Sequence, residues 1–234
     1  MKYIIILVLL IIVIMIIFLK TTNHLTLYDT CTSRDMYAYR LGDMIRLHRV
    51  RNTCNREMYY YKHYPNSIVS KYMKITKSTN NYKVLKSIIE NHEYKNKKIP
   101  DKNTIVIHLR VGDVIDNTEI SVDNFLNESH YKNHYVRNLS YYKKIIKKFD
   151  KSVKNIVFVY GYHIDSDHSK SEEYIEKLKQ FFESNNFNVS KRKNQNADDD
   201  FIYMCNSRYF VQSGGGFSKI IANIVRLKGN ILYT

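Results

Sequence analysis

Tryptophan, proline, cysteine and glycine, whose numbers and positions often indicate a fold class, are absent or rare in this chain. Its 234 residues include no tryptophan, two prolines, three cysteines and seven glycines. Three cysteines allow at most one internal disulfide, and a bond between Cys31 and Cys54 would leave Cys205 as a buried free thiol. No internal repeat and no long low-complexity linker is present. Apart from an N-terminal segment, the length suits one ordinary domain, or one domain with a small partner region.

Acidic residues are few relative to basic ones. The sequence has 22 Asp and Glu against 37 Lys and Arg, which gives a formal net charge of +15. Such a charge permits nucleic-acid binding, but the lysines are dispersed through KVLKS, YKKIIKK and SKRKN and form no known docking motif. We interpret the excess first as the composition of an AT-rich genome, and second as attraction to anionic nucleotides or lipid headgroups. No nucleic-acid partner is expected.

A long apolar run lies at the N-terminus. Residues 3–19 are uninterrupted by charge and are bounded by Lys2 and Lys20. At about 1.5 Å per residue, a helix of this length would span roughly 25 Å of hydrocarbon. A cleaved signal peptide is the alternative, but no small-x-small cleavage site follows the run. We therefore predict a transmembrane signal-anchor over residues 1–20.

A buried-strand pattern ends at a His-x-Arg-x-Gly-Asp cluster. Residues 104–107 are β-branched and largely apolar, as in a strand covered on both faces, and His108 follows them. Ligands of α/β sheets bind beyond the strand ends. There Arg110 would offer a planar cation to a phosphate, Gly112 would allow a turn, and Asp113 would orient the arginine or cap a helix. The alternative is a strand that ends in a surface arginine and a turn.

A second motif combines a strand, a glycine turn and a helix. The short apolar run YFVQ precedes SGGGFS at residues 213–218, and the apolar-periodic segment KIIANIVRLKG follows. This order directs backbone N–H groups at an anion, and Ser213 and Ser218 add hydroxyl groups. The usual phosphate-loop spacings, G-x-x-x-x-G-K-S/T and G-x-G-x-x-G, are both absent. A tight strand-to-helix connection without a ligand is the alternative.

The surrounding sequence alternates between strand and helix patterns. Strands are predicted at residues 104–107, 155–160, 187–189, 208–212 and 230–233, and helices at 139–149, 168–182 and 201–205. Such alternation is typical of right-handed βαβ units around a parallel sheet. We predict a Rossmann-type α/β domain over residues 104–234. With two anion-directed loops in one sheet, a nucleotide site is favoured over two ordinary turns.

The two motifs together resemble a known family. HLRVGD and DDDFIYMCNSRYFVQSGGGFSKIIANI are similar to the donor-binding half of fucosyltransferase-type glycosyltransferases of the GT-B superfamily, a group that includes alpha-1,2-, alpha-1,6- and protein O-fucosyltransferases. The resemblance covers roughly residues 104–226. Two departures concern the donor: Gly112 stands where many members have another arginine or a different residue, and Lys219-Ile220 replaces the aromatic pair that often follows Phe-Ser.

The resemblance implies roles for individual residues. Arg110 would contact the donor diphosphate, His108 and Asp113 would shape its pocket, and residues 213–218 would surround the nucleotide. The implied catalytic residues are Arg110, Asp113 and His108. The implied donor-binding residues are Arg110, Gly112, Asp200, Ser213, Gly214, Gly215, Gly216, Phe217 and Ser218, with Gly42 and Asp43 as further candidates.

An acidic triplet occupies residues 198–200. Clustered carboxylates suit a hard divalent cation beneath a nucleotide diphosphate. The triplet also directly precedes the helical pattern FIYMCNS, where one aspartate would cap the helix and the others would favour its positive end. In the family that the chain resembles, acidic residues at this place precede the donor-site helix. We favour capping or donor contact over metal binding, so no metal is expected.

GT-B enzymes usually pair two Rossmann-like halves, and only residues 28–98 are left for the acceptor half, which must therefore be reduced. Within it, the segment YRLGDMI repeats the Arg-x-Gly-Asp theme, with Arg40, Gly42 and Asp43 at a predicted cleft edge. An ordinary loop before an exposed basic helix is the alternative. The fold class we predict is thus a GT-B-like α/β domain with a reduced N-terminal half, preceded by one transmembrane helix.

The predicted function is metal-independent transfer of a sugar, with fucose favoured, from a GDP-sugar to a glycan or protein acceptor. No cofactor is expected, because the GDP-sugar is itself the donor substrate. The expected partners are this donor, the acceptor and the membrane. By resemblance, the topology is single-pass type II, in the lumen of the ER or Golgi or its equivalent in a virus-infected cell. The alternatives are a non-catalytic, membrane-tethered nucleotide- or sugar-binding protein and a metal-dependent UDP-sugar transferase.

Overall fold

The computed structural model describes residues 82–91, 99–127, 135–162, 167–193 and 197–234. The chain divides into two units, Met1–Asn80 and Asn81–Thr234, and every described residue belongs to the second. The predicted anchor, the candidates Gly42 and Asp43 and the cysteines Cys31 and Cys54 lie outside the described residues. No described helix is long and apolar enough to cross a bilayer.

Five strands and seven helices are described. The strands are β1 (Thr104–His108), β2 (Asn155–Tyr160), β3 (Asn188–Lys193), β4 (Tyr209–Val211) and β5 (Ile231–Tyr233). The helices are α1 (Tyr82–Asn91), α2 (Asp113–Asp116), α3 (Val122–Asn127), α4 (Leu139–Ile146), α5 (Ser169–Glu183), α6 (Ala197–Cys205) and α7 (Gly216–Leu227).

The strands form one parallel sheet in the order β3-β2-β1-β4-β5. The chain moves from β1 outward to β3, then crosses back and places β4 on the other side of β1. The predicted α/β class and parallel sheet are therefore confirmed for the described residues. This strand order reverses between β1 and β4, and such a reversal opens a crevice at the carboxyl ends of the two strands.

Helices cover both faces of the sheet. Right-handed crossovers that run in opposite directions along a sheet place their helices on opposite faces. The helix contacts agree, because α5 packs on α2 and α3, while α7 packs on α6 and α1. All five residues of β1 are buried, as the apolar run at residues 104–107 predicts. Helix α1 falls within the predicted acceptor region at residues 28–98, and it packs against α7.

Aromatic side chains fill the layer between the sheet and α5. Phe182 is fully buried, and its ring lies 5.7 Å from the rings of both Tyr142 and Phe158. The stacked ring of Phe149 lies 6.5 Å away. Because these rings come from α4, α5, β2 and the loop after α4, their packing joins β2 to the helices of the crossovers before and after it.

Several predicted boundaries differ from the structure. Strand β3 runs to Lys193, beyond the predicted end at residue 189, because it is an edge strand whose polar sequence NVSKRK pairs through its backbone along the whole of β2. Helix α6 begins at Ala197 and not at residue 201. The short helices α2 and α3 were not predicted, since they hold too few turns to show an apolar period.

We expect Phe182→Ala to lower the free energy of unfolding by about 3–5 kcal/mol, because it opens a cavity among rings that cannot collapse into it. Urea unfolding followed by circular dichroism measures this loss. Phe181→Ala is the matched control on the same helix, and its partly buried ring should cost less. Equal losses for the two variants would contradict the central position of Phe182.

Candidate functional site

The two predicted motifs meet at the crevice between β1 and β4. Ile107 pairs with Val211 in adjacent parallel strands, so His108 and Gln212 leave the sheet side by side at its carboxyl edge. The segment from Leu109 to Asp113 follows β1, and the glycine turn follows β4. The motifs are separated by about a hundred residues of sequence, and strand pairing places them at the position where α/β sheets bind ligands.

A buried hydrogen bond joins the motifs. The hydroxyl of Ser213 lies 2.8 Å from Nδ1 of His108, and both residues are buried. The His108 ring also contacts Phe217 with centroids 5.7 Å apart, and Phe217 contacts Phe201 of α6 at 5.5 Å. His108 therefore holds the glycine turn against β1. This geometry fits the pocket-shaping role that the resemblance implies for it.

The glycine turn is held by its own polar groups. The backbone N–H of Ser213 donates to the hydroxyl oxygen of Ser218 at 3.0 Å. The N–H of Gly214 donates to the carbonyl of Tyr135 at 3.0 Å. Of the three glycines, Gly215 alone has a positive φ, of 84°, and α7 begins at the next residue. An anion at this turn would thus meet the N-terminus of α7, while the N–H of Gly214 is already engaged.

Arg110 is partly buried and is oriented from within its own motif. One guanidinium nitrogen donates to Asp113 Oδ1 and another to the carbonyl of Val111, each at 2.6 Å. The side chains of Arg110 and Asp113 remain 21 % and 37 % exposed, so a ligand can reach both. Gly112, with φ 81°, makes the turn and donates its N–H to the buried hydroxyl of Ser171 at 2.9 Å. The predicted turn at Gly112 and the Asp113 contact with the arginine are both present.

Asp200 lies in a different environment from the other candidates. Its carboxylate accepts a hydrogen bond of 2.7 Å from Nε of Arg192 on the edge strand β3, and Arg192 also covers the ring of Tyr203. Burial raises the pKa of the Asp200 carboxyl, and the Arg192 charge offsets this only in part. The predicted helix cap is wrong, because α6 begins at Ala197 and the triplet lies inside its first turns. Donor contact by Asp200 stays a prediction.

Two groups of residues near the crevice were missed by sequence reasoning. Asp116 Oδ2 lies 2.8 Å from Nδ1 of His168, and its Oδ1 accepts the N–H of Ser171 at 2.9 Å. These partners are more than fifty residues apart in the sequence, so no local pattern reveals them. The second group is Tyr135, Arg137 and Tyr141, which contact the glycine turn or lie beside it. An asparagine at position 138 is a common type of helix cap, and it caps α4. The sequence gives no sign of the contacts that the residues around it make with the glycine turn.

The remaining chemistry is limited within the described part of the chain. No group of three or more His, Cys, Asp or Glu side chains is placed to hold a metal ion there. Cys205 is a buried free thiol, as predicted, and burial raises its pKa well above the usual value. A buried protonated thiol is a poor nucleophile. The crevice therefore offers cationic groups, backbone N–H groups and hydroxyls.

We expect Gly215→Ala to destabilise the protein by about 1–3 kcal/mol, because its backbone conformation is open almost only to glycine. A Cβ there would also lie 3.1 Å from the ring of Tyr135. Gly229→Ala is the control, since Gly229 shares a positive φ but has no atom within 4 Å of the added Cβ. Chemical unfolding should show the larger loss at Gly215, and a larger loss at Gly229 would contradict the tight packing of the turn.

We expect Asp200→Asn to change how stability depends on pH. A raised carboxyl pKa in the folded state means that the unfolded chain releases its proton first, so the contribution of Asp200 to stability falls as pH rises through the folded pKa. The stability of the wild type minus that of the variant should therefore decrease between about pH 4 and about pH 7. Urea titrations at both pH values measure this difference. An increase would show that the ion pair with Arg192 outweighs burial.

Two comparisons with known proteins gave no match. No model of a protein family matches the chain, and no curated protein matches it significantly.

Proposed function

We propose that the chain is a membrane-anchored glycosyltransferase of GT-B type that transfers a sugar from a GDP-sugar to a glycan or protein acceptor without a metal ion. The observation that carries the proposal is the hydrogen bond between His108 and Ser213. It unites the arginine motif and the glycine turn in a single crevice at the reversal of strand order. An anionic nucleotide is the ligand class that such a crevice suits best.

The leaving group of the reaction is a nucleoside diphosphate, on which negative charge develops as the glycosidic bond breaks. Arg110 supplies a fixed cation, and the N-terminus of α7 supplies N–H groups and a partial positive charge. Both are oriented before the ligand binds, so they stabilise the developing charge with little rearrangement. Asp113 keeps the guanidinium in place until phosphate oxygens compete for it.

A base must accept the proton of the acceptor hydroxyl if the reaction inverts at the anomeric carbon. Asp113, His108 and Asp43 are the candidates from the sequence. Asp113 is the most exposed of those that the structure describes, whereas His108 is buried against Ser213. These observations favour Asp113 as the base and His108 as the residue that positions the turn. The acceptor region, the type II anchor and fucose as the sugar remain part of the proposal through the family resemblance.

The test is thermal stabilisation of the full chain, purified in detergent, by GDP, UDP, CMP and ADP, each with and without Mn²⁺. A ligand at about 100 times its Kd adds roughly 2.7 kcal/mol of stability. We expect GDP to stabilise the protein without Mn²⁺ and Arg110→Ala to remove the effect. Arg226→Ala is the matched control, because it removes an exposed arginine at the far end of α7.

Other outcomes separate the alternatives. Stabilisation by UDP only with Mn²⁺ would favour the metal-dependent UDP-sugar transferase. The non-catalytic binding protein would be favoured by two results together. GDP would bind without a metal ion, and no GDP would be released from GDP-fucose in the presence of a glycan mixture or of water. No stabilisation by any nucleotide would contradict the proposal.

A further inference from the structure

We propose that Arg137 is a second cation of the anion site, and that it binds a phosphate oxygen of the ligand held by Arg110 and the glycine turn. The inference rests on the proposed function and extends it to a residue outside both sequence motifs. Two observations support it. Nε of Arg137 is a buried donor that has no acceptor among the described residues. Residues on either side of Arg137 are hydrogen-bonded to the loop that contains the glycine turn.

The Arg137 guanidinium lacks a partner for one of its donors. Nε of Arg137 is buried, and none of the described residues places a hydrogen-bond acceptor within reach of it. Its cation packs on the ring of Tyr141, with Cζ 4.8 Å from the ring centroid. A buried donor without an acceptor is costly, and buried polar groups are almost always paired in the functional state of a protein. The missing partner is therefore an oxygen that the bound ligand brings.

Hydrogen bonds on both sides of Arg137 fix its position beside the turn. Two residues earlier, the carbonyl of Tyr135 accepts the N–H of Gly214. Four residues later, the hydroxyl of Tyr141 donates to the carbonyl of Gln212 at 2.7 Å. The segment from Tyr135 to Tyr141 is thus attached to the loop after β4 at two points, with Arg137 between them.

The backbone of Arg137 is also anchored from the neighbouring helix α5. Its carbonyl accepts a hydrogen bond of 2.5 Å from the buried hydroxyl of Tyr174 on α5. Burial raises the pKa of Tyr141 to about 12, and the positive charge of Arg137 offsets part of this shift. The Tyr141 phenol on which the guanidinium packs therefore stays neutral and does not balance its charge. An anionic ligand would balance it.

The experiment compares binding of GDP, guanosine and inorganic pyrophosphate to the full chain in detergent, measured by isothermal titration calorimetry. Arg137→Met keeps an unbranched apolar side chain that can pack beside Tyr141, but it removes the charge and its donors. Loss of a charged hydrogen bond should weaken GDP and pyrophosphate about 10- to 100-fold and leave guanosine unchanged. Arg137→Lys should recover part of the loss, because it restores the charge but not the planar fork. Arg226→Met is the matched control and should bind all three ligands like the wild type.

Thermal melting of the ligand-free proteins tests a structural role. Removing a buried donor that has no acceptor should leave the melting temperature of Arg137→Met equal to that of the wild type, or raise it, while the shift on adding GDP becomes smaller. A lower melting temperature together with weaker guanosine binding would overturn the inference in favour of a structural role. So would unchanged affinities for GDP and pyrophosphate.

The two proposals fail in different ways. If the wild type binds GDP and Arg110→Ala does not, but Arg137→Met binds normally, the proposed function stands and the inference about Arg137 falls. If no nucleotide binds, but pyrophosphate binds and is lost in Arg137→Met, the anion site stands and the nucleotide-sugar function falls. If the wild type binds none of these ligands, both fall.

Discussion

Parallel pairing of β1 with β4 is the constraint on which the site depends. The pairing is possible because both strands are fully buried and because the chain, after building β2 and β3 on one side of β1, returns to the other side. The register sets Ile107 opposite Val211, so both motifs begin at the same height. The Ser213 hydroxyl can then reach His108, and the arginine motif and glycine turn become two walls of one crevice.

The charges of the crevice are arranged before any ligand is present. Arg110 is held by Asp113 and a backbone carbonyl, whereas Arg137 packs on an aromatic ring and keeps a donor without an acceptor. The first arrangement lowers the electrostatic cost of the empty site, because a carboxylate substitutes for the ligand. The second raises it, because a buried donor of Arg137 has no acceptor among the described residues. A site built in this way gains affinity for an anion at the expense of stability in its absence.

Contacts that leave no local pattern in the sequence explain what could not be predicted. Asp200 follows a local pattern for a helix cap, yet its carboxylate pairs with Arg192 because the crossover from β3 to β4 starts one turn earlier than the apolar period suggests. Strand β3 was predicted too short, since an edge strand is held by backbone bonds that leave no trace in hydropathy. Arg137 has no sequence signal of its own, and only its neighbours' bonds to Gln212 and Gly214 place it at the site.

The sequence by itself determined the α/β class, the buried β1 and β4 strands, the buried free thiol at Cys205 and the turns at Gly112 and Gly215. Each of these features depends on local hydropathy or on a backbone conformation that glycine supplies. It also located both motifs of the candidate site. Only the tertiary structure decided that these motifs are neighbours and that Arg137 stands beside the glycine turn. Those facts depend on strand order and on packing between distant segments, and neither is encoded in any single stretch of the chain.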